Sequence, residues 1–257
     1  MNSQFQDYLK NNLDLDLSPK EISDFKTYLA ELIAYNKKFN LTRIIDPEKI
    51  WCFHFIDSLT LQIFFRFLKS NLNNTDYFLS KPGFKVIDIG SGAGFPGIPL
   101  KIIYPFWEMT LLESTRKKIF FLETITKKLH LQKINVVWNR AETIAQDRNY
   151  RQQYELGLMR ALSDLTIGLE LSLPLIRPDG YMVFWKSEIN KNEISAIKPV
   201  LKILGGEFLT LLEYILPGQE TKRNLVIFKK VHETPEKYPR RAGIPSKYPL
   251  NKIVTAM

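Results

Sequence analysis

Residues 86–97 read Val-Ile-Asp-Ile-Gly-Ser-Gly-Ala-Gly-Phe-Pro-Gly. An apolar, β-branched run that stops at three alternating glycines and reopens as a helix is a strand–turn–helix unit with little connecting chain. The glycines let backbone approach a ligand, and the helix beyond offers unpaired N–H groups. Two ligand chemistries fit. Gly92, Gly94 and Gly97 satisfy the dinucleotide pattern G-x-G-x-x-G. Counted from the strand end at Gly90, that pattern fails at Phe95. What remains is G-x-G-x-G, with a carboxylate, Asp88, two residues earlier. This second pattern suits S-adenosylmethionine, which has no pyrophosphate and carries a sulfonium cation that an acidic residue complements. Asp88, Gly90, Gly92 and Gly94 therefore favour a methyl donor, with a nicotinamide-dependent oxidoreductase as the alternative.

The rhythm around this turn sets the fold class. Strand candidates lie at 84–89, 107–112, 134–138, 154–159 and 181–185, with helical stretches at 96–104, 115–129, 164–175 and 188–204 between them. Strand and helix alternating at this spacing predict right-handed crossovers and a parallel sheet covered on both faces. Residues 208–215 and 224–229 are joined by Pro217-Gly218, with no room for a crossover helix, so an antiparallel pair closes the sheet edge. The expectation is an α/β, Rossmann-like sheet of the class I methyltransferase plan. Before it, residues 1–80 read as a helical lobe. Ser18-Pro19-Lys20-Glu21 is a capping box with proline at the first helical position, Asp46-Pro47 opens a second helix, and residues 50–68 are apolar nearly all round. The polar stretch 71–81 marks the boundary. A methyltransferase domain over 81–230 and a basic, Pro-rich tail over 231–257 complete the division.

Composition narrows the function classes. At 45% hydrophobic and 25% charged, the 257 residues can build an ordinary globular core, which excludes a disordered or fibrous chain. No run of about 18 apolar residues exists, so no membrane helix is expected, and the first residues lack a secretory signal. The lone Cys52 excludes an internal disulfide framework and a Cys-rich zinc site, and it reads as a small buried hydrophobe. No metal is expected, and the location is cytoplasmic. The net charge of +9 is uneven: residues 217–257 carry nine basic and three acidic side chains. Such a tail suits phosphates, and equally a solvated terminus.

Further residues carry chemistry. Glu113, ending the second strand, can accept from both ribose hydroxyls of either cofactor. Ala141 and Glu142 follow the third strand, where an adenine would lie, although a glutamate opening a surface helix has the same signature. Methylation at pyrimidine C5 needs a cysteine nucleophile, for which Cys52 is poorly placed. Methylation of an exocyclic amine usually uses an Asn/Asp-Pro-Pro-aromatic turn after the fourth strand, whereas this chain has Leu158-Met159-Arg160-Ala161. Arg160 suits a carboxylate, phosphate or purine edge. His54 and Asp57 share one helix face. They read as a buried polar pair positioning the Asn40 loop, or as an RNA contact. Lys186, at the C-terminal end of the fifth strand, faces the ligand side. A methyltransferase with a non-RNA acceptor remains compatible with these residues.

Several motifs then converge. Asn40-Leu41-Thr42-Arg43, Asp46-Pro47-Glu48, His54-x-x-Asp57-Ser58-Leu59, the run from Asp88 to Leu100, Arg160-Ala161, Lys186, Arg223-Asn224-Leu225-Val226 and the tail from Tyr238 to Leu250 occur in order. Together they resemble the bacterial small-subunit ribosomal RNA guanine-N7 methyltransferase family, also called glucose-inhibited division protein B. The resemblance implies S-adenosylmethionine as cofactor, leaving as S-adenosylhomocysteine, and a guanine near position 527 of 16S rRNA as target, on the rRNA or the small ribosomal subunit; nothing in the sequence suggests more than a monomer. It implies cofactor contacts at Gly90, Phe95, Glu113, Ser114, Ala141, Glu142 and Arg160, beside Asp88, Gly92 and Gly94. The RNA-binding candidates are Asn40, Arg43, His54, Lys186, Arg223, Arg240, Arg241 and Lys247. Met159 stands where the family has a small residue and Trp185-Lys186-Ser187 where it has Leu-Lys-Gly, which bears on the acceptor pocket. Guanine N7 carries no proton, so only an orienting residue, Arg160, is expected at the catalytic position.

Overall fold

The computed structural model describes residues 2–72, 81–160, 164–189 and 191–254. The predicted domain boundary at residue 80 and the motif residue Ala161 lie outside them. Helix α1 (Ser3–Leu13) starts at Asn2, whose side chain accepts from the Phe5 amide at 3.0 Å. Helix α2 (Pro19–Phe39) has both halves of the predicted capping box, Ser18 N–H to Glu21 at 2.7 Å and Glu21 N–H to Ser18 Oγ at 3.3 Å. It buries Phe25, Tyr28, Leu32 and Asn36 on one stripe and stops at Asn40, which sits in the left-handed region at φ 49°.

Residues 50–68 are not one uniform helix. Asp46 caps α3, which begins at Pro47, widens into a π-helical stretch over Trp51–Ile56 and ends at Leu59. Helix α4 (Leu61–Leu72) follows. Hydrophobic periodicity does not report such a widened turn, because Trp51, Cys52, Phe55 and Ile56 are buried much as an ordinary helix would bury them.

The sheet is the expected one. Strands β1 (Lys85–Ile89), β2 (Glu108–Glu113), β3 (Ile134–Trp138), β4 (Tyr154–Arg160) and β5 (Ile176–Lys186) pair in parallel. Strands β6 (Gly206–Ile215) and β7 (Lys222–Lys230) add the antiparallel edge, in the order β3-β2-β1-β4-β5-β7-β6. The crossovers carry α5 (Gly97–Ile103), α6 (Arg116–Lys128), the short α7 (Ala141–Ile144), α8 (Leu165–Ser172) and α9 (Lys191–Leu204). Helix α7 is the short helix that one reading of Glu142 offered, whereas the tail helices α10 (Ile244–Lys247) and α11 (Leu250–Val254), four and five residues long, were not anticipated.

Alternation along the strands divides the interior into two layers. Val86, Leu111, Leu158, Val183, Trp185 and Leu225 point into one cluster, which also contains Phe5, Phe25, Phe55 and Phe64 of the N-terminal helices. Ile87, Leu112, Met182, Phe184 and Val226 point into the other, beneath α8 and α9. The N-terminal helices thus share a core with the sheet. The tail belongs to the second layer through Tyr238 and Leu250. Arg151 fastens it, donating to the carbonyls of Thr234, Pro235 and Tyr238. Strand order reverses at β1/β4, which opens a crevice at the carboxyl ends of the strands.

Candidate active site

Past β1 the chain must turn sharply without blocking that crevice. Gly90 adopts φ +73°, and a Cβ there would meet nothing within 4 Å, so the crevice keeps its full width at this point. Gly97 serves closeness: a Cβ would fall 2.5 Å from a Leu111 methyl and 2.8 Å from Asp88 Oδ2. Through that gap the Gly97 N–H donates to Asp88 Oδ2 at 3.0 Å, tying strand end to helix start. Asp88 is fully buried and its second oxygen has no partner among the described residues. Burial raises its carboxyl to about 7, against the downward pull of the Gly97 amide.

A cavity of about 560 Å³ occupies the crevice. Gly90, Gly92, Phe95, Glu113, Ser114, Ala141, Glu142, Arg160 and His54 all line it. Asp88 and Gly94 do not. They shape the loop from behind, and a Cβ on Gly94 would strike Ile98 and the Tyr28 hydroxyl. The Glu113 carboxylate, at the end of β2, accepts from the amides of Gly92 at 3.0 Å, Ser114 at 2.9 Å and Thr115 at 2.8 Å. Glu142 accepts from the Gly243 amide of the tail at 3.1 Å, and Ser246 of the tail also lines the cavity. Thr42, Asn139, Arg140 and Ser246 were not singled out from sequence. Only for Thr42, inside the Asn40–Arg43 motif, was a signal present.

Phe95, in the cavity lining, belongs to a layered stack. The Phe95 ring lies 4.5 Å from the His54 ring at 20° and 5.3 Å from that of Tyr28 at 22°, with the Arg160 guanidinium carbon 5.1 Å from its centre. The Tyr28 hydroxyl donates to the Ala93 carbonyl, which pins the glycine turn to α2. Arg160, at the end of β4, donates to the Phe53 carbonyl in the widened turn at 3.1 Å, to Asp57 Oδ2 at 3.2 Å and to His54 Nδ1 at 3.1 Å. His54 Nδ1 also lies 3.2 Å from the Phe53 carbonyl and Nε2 lies 2.8 Å from Thr42 Oγ1, so both ring nitrogens have partners. Burial, reinforced by the Arg160 charge, pulls the His54 pKa down to about 3.

Asp57 is fully buried and anchors the group. Its Oδ1 accepts from Tyr214 at 2.7 Å and Arg223 Nε at 3.0 Å, and its Oδ2 accepts from Arg160 and Arg223 at 3.2 Å each. Asp57 and His54 therefore meet through Arg160. Burial at these sites is tolerated because the carboxylate is matched by charge and hydrogen bonds together.

The remaining candidates are dispersed. Arg223 is engaged by Asp57, and Arg240 by the fully buried Glu170, at 2.8 and 2.6 Å, so both guanidiniums have internal carboxylate partners where phosphates were expected. Lys186 pairs with Glu193 at 3.4 Å. Asn40 and Arg43 are exposed beside Leu41 and Thr42 of the cavity lining, and Arg241 and Lys247 are exposed around Ser246.

The family described as rRNA small subunit methyltransferase G matches residues 21–226. The chain belongs to that family. It is an S-adenosylmethionine-dependent methyltransferase of small-subunit rRNA. The ribosomal RNA small subunit methyltransferase G of Bacillus cereus (strain B4264) is 36% identical over 249 residues, spanning 97% of this chain and 98% of its own. The Bacillus pumilus (strain SAFR-032) protein of that name is 37% identical over 236 residues, spanning 92% and 93%. Among solved structures, M. jannaschii TYW2 in complex with AdoMet has a TM-score of 0.48 at 14% identity, over 60% of this chain and 72% of that chain. The methyltransferase's cavity suits its methyl donor. Carboxylates lie at the ends of β2 and β3, the edge at Gly90 is bare, and the volume holds a nucleoside with its amino-acid tail.

Proposed function

We propose that the methyl acceptor is N7 of a guanine in 16S rRNA, and that Arg160 orients base and donor for direct in-line transfer. The observation carrying this reading is the state of the titratable groups around the cavity. His54 is held neutral with both ring nitrogens engaged, and Glu113 and Glu142 accept from backbone amides. None is arranged as a free general base. Guanine N7 presents an in-plane lone pair and no proton, so it is an acceptor that needs none.

S-adenosylmethionine supplies a methyl group activated by its positive sulfur. The rest falls to this chain. Glu113 and Glu142 are the hydrogen-bond acceptors for ribose and adenine, and the Gly90–Phe95 turn gives the amino-acid tail close access to backbone. Arg160, fixed by Phe53, Asp57 and His54, keeps one orientation at the border between the turn and the helices. Orientation alone supplies roughly 7–11 kcal/mol of barrier reduction in well-aligned systems. The enzyme acts in the cytoplasm as a monomer, on the small subunit or its rRNA.

The test is transfer of labelled methyl to small subunits, followed by chain cleavage at N7-methylguanine. Incorporation with cleavage at a single guanine is expected. Incorporation without cleavage would move the acceptor away from N7.

A further inference from the structure

Contiguous exposed apolar surface marks an interaction site, whereas single exposed side chains need no partner. Trp138 is 56% exposed and directly precedes the cavity-lining Asn139; Phe120 is 54% exposed, two residues past the cavity-lining Lys118. The Trp138 indole N–H donates to the Ser114 carbonyl at 3.0 Å, which fixes the ring plane, and the Arg116 guanidinium sits 5.5 Å from its centre. Phe120 is one helical turn beyond Arg116 on α6, hence on the same stripe. Its ring neighbours are Tyr35 at 6.2 Å and Phe39 at 6.4 Å, from the end of α2.

The strip is continuous with the active site at both ends. Asn139 and Arg140 follow Trp138 and line the cavity, and Leu41 and Thr42 follow Phe39 and line it too. Its charge is one-sided. Segments 35–45, 114–121 and 138–141 carry three, three and one basic residues and no acidic residue. A row of flat rings between cations, running out from the pocket that takes a base, matches the needs of single-stranded nucleic acid. Every base has a face to stack, and every nucleotide a phosphate to pair.

The geometry points to this strip as a stacking platform for the unpaired rRNA nucleotides that flank the methylated base, with Trp138 and Phe120 as stacking residues and the basic residues as phosphate contacts. The inference rests on the rRNA acceptor reading and extends it to the docking surface.

Two measurements test it: filter binding of naked 16S rRNA, and methyl transfer to naked rRNA and to intact small subunits. Trp138→Ala and Phe120→Ala are each expected to raise the dissociation constant and the KM about tenfold on both substrates, with S-adenosylhomocysteine affinity unchanged. Trp138→Phe keeps a ring but loses the indole N–H, and should recover most of the loss. Lack of recovery would assign the effect to the Ser114 bond and remove stacking. Replacing Lys37, Lys38 and Lys117 together by Gln should lessen the slope of log K against log salt by about 2, given about 0.7 per single-strand phosphate. Unchanged binding in the alanine variants, or an unchanged salt slope, overturns the platform. A defect confined to intact subunits overturns it too, since a ribosomal protein would then be what the strip touches. If the native enzyme binds rRNA through these residues yet transfers no methyl to it, the acceptor reading falls and the platform stands.

Discussion

Arg160 and Asp57 are joined at 3.2 Å across 103 residues of sequence, linking the end of a sheet strand to the helical layer that covers it. Arg223 shares the same carboxylate from a third element. The orientation of Arg160 is thus set by a group that does not line the cavity.

Asp57→Asn leaves two guanidiniums without their common counter-charge in a buried place, a change that costs about 3–5 kcal/mol in comparable pairs. Arg160→Ala leaves Asp57 with Arg223 and Tyr214, so it should be the milder change for folding. Both should cut turnover, by about 10²-fold where a reacting group shifts by about 1 Å. Urea denaturation and single-turnover methyl transfer give the two rankings. Equal stability losses would contradict the network.

Asp88 predicts a particular pH dependence. The unfolded carboxyl loses its proton near 3.8, while the buried one holds it to about 7. Its contribution to stability is therefore complete below about 3.8, declines as pH rises to about 7 and is flat above. Asp88→Asn removes this titration and keeps an acceptor for Gly97. The difference in unfolding free energy between native and variant protein, measured from pH 4 to 9, should move against the native protein up to about 7 and then level off.

For His54 the sign is opposite. An imidazole whose pKa falls from 6.5 to about 3 is neutral in the native state through the physiological range. Its contribution is fully present above about 6.5 and drains away as pH falls toward about 3. Its ring-proton resonances should show no titration between pH 5 and 8, and turnover should show no inflection near 6.5 that His54→Gln abolishes.

Arg240→Ala strands Glu170, which is fully buried. A loss of about 3 kcal/mol is expected, by the reasoning for broken buried pairs. Because Gly243 and Ser246 follow directly, S-adenosylhomocysteine affinity should fall with it. Calorimetry of folding and of ligand binding checks both, and an effect on RNA affinity alone would contradict it.

The sequence made the sheet readable because parallel strands buried on both faces are continuous apolar runs, and the glycine turn readable because few residues tolerate that backbone. The capping box of α2 was equally explicit. What stayed hidden was long-range or isotropic. The pairs Arg160–Asp57 and Arg240–Glu170 join residues 103 and 70 apart, and no local pattern encodes them. A Pro-punctuated basic tail has the same composition whether it floats or docks, and Arg151 and Glu170, which hold it, are unremarkable in sequence. The widened turn at Trp51–Ile56 is silent because it changes hydrogen bonding, not burial.

The Phe95 sandwich has a practical corollary. Of the groups packed against that ring, Tyr28, His54 and Phe55 come from helices that precede β1. A shortened version starting at residue 81 would keep every strand yet lose the floor and one wall of its donor pocket. For anyone seeking a minimal catalytic fragment, there is little here to trim: the front of the polypeptide is masonry of the site.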